Sequence, residues 1–165
     1  MILAVDVDYR NDKASIAGIC FHAWSDESPK DVLHSEVDTV LDYEPGQFYK
    51  RELPCILKLL KEHELRPDLI VIDGFVYLGQ DSKPGLGVHL FNALGKNTPV
   101  IGVAKSAFKG SSPKTEVFRG KSEKPLYVTA IGIEQQVANA NISSMHGKYR
   151  IPTLLKLVDH ECRKS

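Results

Sequence analysis

Leu69-Ile70-Val71-Ile72-Asp73-Gly74 is the stretch that decides the fold. Four apolar residues run without alternation and stop at a carboxylate and a glycine. A short apolar run closed by a turn signal reads as a central strand buried on both faces, of the kind found in parallel sheets. Open α/β sheets place ligands in the crevice beyond the carboxyl ends of such strands. A buried acid there needs a cation, a metal or water. Asp-Gly is also a common turn pair, so Asp73 taken alone reads equally as a turn residue.

Working outward, Ile2–Val5 leads into Asp6-Val7-Asp8. Alternation puts Asp6 and Asp8 on one side of a strand, either facing a cleft or forming a solvated acidic face. Ala14–Phe21 and Val32–Val40 are further strand candidates, and the three together suggest an antiparallel meander. Gln47–Glu64 reads as a helix with Leu53, Ile56, Leu57 and Leu60 on one face. Pro54 either kinks its first turn or occupies the first position of the regular helix. Both readings leave Glu52 at the helix mouth, near where the opening strands end.

Beyond Asp73, residues 74–87 form a Gly-rich loop that lacks GKS/T and GxGxxG, a weak phosphate cradle. Gly87–Leu94 reads as a helix closed by Gly95. Pro99–Ala104 reads as a second apolar strand ending in Lys105-Ser106. Strand, helix and strand with short connections imply parallel pairing. Residues 106–124 are polar and basic, either a solvated loop or a track for a phosphate backbone. Leu126–Ile131 is a strand, residues 133–150 are undecided, and Ile151–Cys162 is an amphipathic helix with Pro152 in its first turn.

Bulk properties bound the function. Hydrophobic content of 42% and charged content of 25% are ordinary for a globular chain, and residues 1–165 read as one domain. A formal net charge of zero gives no basic footprint, although a neutral protein can carry a basic groove. Cys20, Cys55 and Cys162 match no CxxC spacing and fit reduced thiols in a cytoplasmic protein. The opening residues do not read as a signal peptide. No apolar run approaches the roughly 18 residues of a membrane helix, so no membrane partner is expected.

The order of elements is that of an α/β, RNase H-like fold, a mixed sheet flanked by helices. In that fold Asp6, Glu52 and Asp73 could converge. Three carboxylates in one cleft repel unless a divalent cation joins them. Oxygen-only ligands suit Mg²⁺ or Mn²⁺ rather than zinc, and such an ion supports phosphoryl chemistry.

The chain resembles the endonuclease V family over most of its length. The resemblance rests on Asp6-Val7-Asp8-Tyr9, Tyr43-Glu44-Pro45-Gly46 with Arg51-Glu52-Leu53-Pro54, Asp73-Gly74, and Ile101-Gly102-Val103-Ala104-Lys105-Ser106. It implies Mg²⁺ on Asp6, Glu52 and Asp73, with Lys105 close to the scissile phosphate. It implies a wedge containing Tyr43 that probes the strand beside the lesion. Pro45, Gly46, Gly74 and Ser106 are the accompanying substrate-binding candidates, and Asp8 and His146 are secondary site candidates. The implied activity is hydrolysis of a phosphodiester one nucleotide 3′ of inosine in DNA or RNA. Separately from the resemblance, a monomer is expected.

The sequence also departs from the family pattern. Phe75-Val76-Tyr77-Leu78-Gly79 lacks the family's histidine, and the Gly-His-Arg before the last helix is matched only loosely by His146-Gly147-Lys148-Tyr149-Arg150. Tyr149 takes that histidine's place, and His146 could substitute only by a shift; His89 lies close to a family histidine but does not align with it without a shift. The competing reading is a nucleic-acid-binding relative with weak cleavage, none, or altered base specificity. An RNase H-like ATPase or sugar kinase would need a much longer chain.

Overall fold

The computed structural model describes residues 1–38 and 48–164. The chain opens with β1 (Ile2–Arg10), β2 (Lys13–Phe21) and β3 (Asp31–Val37), an antiparallel meander. After α1 (Phe48–Glu62), β4 (Leu69–Asp73) lies parallel to β1, with Leu3 opposite Ile70 and Val5 opposite Ile72. A small hairpin of β5 (Tyr77–Leu78) and β6 (Lys83–Pro84) leads to α2 (Leu86–Ala93). Then β7 (Val100–Ala104) pairs parallel with β4, placing Val103 opposite Asp73. The sheet is completed by β8 (Glu116–Val117) and β9 (Leu126–Ile131), and α3 (Gln135–Ser144) and α4 (Thr153–Cys162) follow. Strand order is β3-β2-β1-β4-β7-β9-β8, a mixed sheet of RNase H-like type.

Alternation along the strands sorts the core into two layers. Ile2 and Ala4 of β1, with Val71 of β4, pack with Ala138 and Ile142 of α3 and Leu154 and Val158 of α4. Leu3 and Val5 of β1, with Ile70 and Ile72 of β4, pack with Ile56 and Leu59 of α1 and Leu86 and Leu90 of α2. The same alternation carries past the apolar run. It directs Asp6 and Asp73 toward the α4 side, and Tyr9 toward the α1 side.

The buried face of α1 is Glu52, Cys55, Ile56, Leu59 and Leu60, so of the four residues read from periodicity Ile56 and Leu60 are buried while Leu53 and Leu57 are half-buried at its edge. Pro54 lies inside a helix that begins at Phe48, so it does not mark the helix start. The Gly-rich loop holds the β5–β6 hairpin, and the undecided segment holds α3.

The basic run at residues 106–124 is neither a plain solvated loop nor wholly a phosphate track. Residues Pro113–Thr115 form a 3-10 turn, β8 follows, and Arg119 is buried. Its guanidinium donates to the carbonyls of Met145 (2.6 Å), Gly147 (3.0 Å), Tyr149 (2.7 Å) and Arg150 (3.2 Å). It is the post on which the irregular chain before α4 is hung.

Candidate active site

Asp6 and Asp73 leave adjacent parallel strands on the α4 side and line one cleft with Lys105, Leu155 and Asp159, a space of about 30 Å³. Asp6 is 8% exposed. Val7 N–H donates to its Oδ1 at 2.9 Å, and its other neighbours are the carboxyl groups of Asp73 and Asp159. Burial, then the repulsion of Asp73 and Asp159, holds Asp6 well above the ordinary carboxylate range. Asp73 stays open to solvent at the strand end. Desolvation still raises it, Lys105 pulls it down, and Asp159 pushes it up. Carboxyl groups gathered this closely repel one another, and a cation among them would relieve that repulsion.

Glu52 approaches from the other face. It is 5% exposed on α1 and lines a second crevice with Asp6, Asp73 and Leu86 at the ends of the strands. Burial raises it to about 7, Tyr9 lowers it by hydrogen bonding, and Asp73 adds to the rise. The Tyr9 hydroxyl donates to Glu52 Oε2, and the Arg51 guanidinium sits 3.6 Å above the Tyr9 ring centre. The donor set is therefore oxygen from two faces of one sheet end, which fits a hard divalent cation.

Two of these groups escaped the sequence reading. Asp159 stands on α4, with Lys105 Nζ at 3.9 Å and Arg163 Nη2 at 3.1 Å. Its signal was an acid beside Leu155, Val158 and Cys162 on an otherwise apolar helix face. Tyr9 was seen only as the end of a motif. Among the described residues, the tightest set of potential ligand atoms is Asp6, Asp159 and Cys162, not the three acids read from the sequence. The sheet explains the difference, because Glu52 reaches the strand ends from the opposite layer.

Gly74 follows Asp73 with φ +134, a conformation that L side chains rarely adopt, and its N–H donates to Val103 O at 3.1 Å. Lys105 and Ser106 are exposed at the end of β7. Asp8 pairs with Arg10 at 2.8 Å. His146 contacts Thr153 Oγ1 at 2.9 Å and Glu27 at 3.4 Å, and is not among the residues that line the carboxylate cleft. His89 stacks on Tyr49 with ring centres 3.6 Å apart. Tyr43, Pro45 and Gly46 lie outside the described residues.

Residues 1–147 match the family model described as Endonuclease V. The chain belongs to the endonuclease V family. An endonuclease V from Dehalococcoides mccartyi is 36% identical over 94 residues, 57% of this chain and 41% of that protein; the match spans less than half of that relative. The crystal structure of endonuclease V from Streptomyces avermitilis superposes with a TM-score of 0.72 at 26% identity, covering 99% of this chain and 79% of that one. Endonuclease V from Ciona intestinalis, solved with a DNA containing an inosine followed by a ribo-adenosine, gives 0.76 at 21% identity, covering 99% and 84%. The endonuclease V likeness thus extends over the whole fold that carries the carboxylate cleft. No described helix is long and apolar enough to cross a membrane.

Proposed function

We propose that this chain is a metal-dependent endonuclease that hydrolyses a phosphodiester 3′ to a deaminated base, inosine in DNA or RNA. The observation that carries the reading is the convergence of Asp6, Asp73 and Asp159 in one cleft, with Glu52 at its back and Lys105 at its mouth. Asp6, Glu52, Asp73 and Asp159 would hold Mg²⁺ or Mn²⁺. Such an ion, when bound, polarises a phosphoryl oxygen, lowers the pKa of water and stabilises the leaving oxygen.

The chain's own groups do the rest. Lys105 presents a positive charge for the phosphate beside the carboxylates. Tyr9 holds the Glu52 carboxylate toward the crevice. Ser106 and the turn at Gly74 offer polar and backbone contacts where the strand passes. A space of about 240 Å³ beside Phe75, Tyr77, Gln80 and Lys114 has room for an extruded base, which aromatic faces can stack upon. Tyr43, with Pro45 and Gly46, is assigned to the wedge by the family resemblance.

The test compares wild type with Asp73→Asn on an inosine-containing oligonucleotide in Mg²⁺. The reading expects cleavage by the wild type and loss of it in the variant, with binding of the oligonucleotide retained. Equal cleavage by both proteins would discard the assigned centre. Binding without cleavage by the wild type would favour a purely binding relative.

A further inference from the structure

One member of the carboxylate cluster does not suit magnesium. Cys162 lies on the last turn of α4, three residues after Asp159 and so on the same helix face. One ligand atom each from Asp6, Asp159 and Cys162 falls within 4.8 Å of the others. Cys162 is 2% exposed and Asp6 8%. The Cys162 thiol donates to Asp159 O at 3.2 Å, a weak bond that a metal can replace. No N–H beyond that of Val7 bonds the Asp6 carboxylate among the described residues, and its other contacts in the cluster are the carboxyl groups of Asp159 and Asp73.

We propose that Asp6, Asp159 and Cys162 form a soft-metal site that binds zinc or cadmium in competition with the hard cation of the nuclease centre. It rests on the functional reading above only in taking Asp6 and Asp159 as cation ligands. Thiolate selects soft and borderline ions, whereas magnesium takes oxygen ligands and leaves sulfur alone. Zinc bonds of about 2.0–2.3 Å need a set slightly tighter than the one seen. Asp159, the most exposed of the three at 27%, closes it by side-chain rotation. A metal held there takes Asp6 away from the nuclease centre, so the site is inhibitory. The other two thiols, Cys20 and Cys55, are buried without such a set among the described residues.

Cadmium titrated into the protein alone, without nucleic acid, tests this through the ultraviolet thiolate-to-cadmium charge-transfer band. The band is expected in the wild type and in Cys20→Ser and Cys55→Ser, and absent in Cys162→Ser. X-ray absorption at the cadmium edge of the wild type, which needs no variant to fold, is expected to show one sulfur neighbour. No band, a band unchanged in Cys162→Ser, or a sulfur-free cadmium shell would overturn the proposal. Zinc is further expected to inhibit Mg²⁺-supported cleavage on the order of tenfold less in Cys162→Ser than in the wild type. A cadmium band from a protein that cuts nothing would sink the nuclease reading and leave the soft-metal site standing.

Discussion

The carboxyl group of Asp159, on the last helix, faces that of Asp6, on the first strand. The two ends of the chain thus meet at the cleft, with Asp73 of β4 beside them. Asp6 has no structural reason to be there, since a buried acid beside like charges costs stability. Asp159→Asn is expected to lower metal-supported cleavage by about ten- to a hundredfold and leave the folded protein intact. Cleavage rates at rising Mg²⁺ check this. An unchanged rate at every concentration would assign Asp159 to pairing with Lys105 and Arg163 only.

The same repulsion gives a pH dependence. The folded-state pKa values of Asp6, Asp73 and Glu52 lie above the ordinary values near 4, with Glu52 at about 7. Their contribution to stability is complete below about pH 4 and is lost as pH rises through the folded values. In chelator, Asp6→Asn is therefore expected to be more stable than the wild type by about 1–3 kcal/mol at pH 8, with a smaller gap at pH 5 that closes below about pH 4. Added Mg²⁺ should narrow the gap. Thermal melts at the two pH values decide it, and a gap that is larger at pH 5 has the wrong sign.

The Tyr9 hydroxyl bond favours the ionised form of Glu52 against the burial that raises it to about 7. Tyr9→Phe removes a buried hydrogen bond to a charged group, worth about 1.5–3 kcal/mol, and lets the Glu52 pKa climb. The expected signature is a higher Mg²⁺ requirement together with an acid limb of the pH–rate profile moved to higher pH. A variant that only melts earlier, with its profile in place, would make Tyr9 a packing residue.

Gly102 ties the core to the cleft. A methyl added there would lie 2.5 Å from Gly74 O and 2.9 Å from Thr129 Oγ1, and Thr129 Oγ1 accepts from Val76 N–H at 2.8 Å. Gly102→Ala must push the segment after Asp73 outward. A loss of about 1–3 kcal/mol and a fall in cleavage larger than the fall in folded fraction are expected. Denaturation and activity measured on the same preparation check both.

Much of this was legible in the sequence. Asp73, Asp6 and Lys105 end apolar runs, and such runs announce central strands. Glu52 was legible because a helix follows the meander. Asp159 was not, because its helix reads as an ordinary amphipathic element, and only the fold shows which side of that helix meets β1. Arg119 was hidden in a basic run, where charge says nothing of burial until four carbonyls are seen around it. The two-residue strands β5, β6 and β8 carry no period to read, and α3 buries only Ala138 and Ile142. The wedge residues Tyr43, Pro45 and Gly46 fall outside the described residues.

The most direct measurement is cleavage of matched single-stranded oligonucleotides, with and without one inosine, as DNA and as RNA, in Mg²⁺ and in chelator. The account predicts a cut 3′ of the inosine that appears with Mg²⁺ and disappears with chelator. Cutting that survives the chelator, or no cutting of any strand in Mg²⁺ or Mn²⁺, would contradict it.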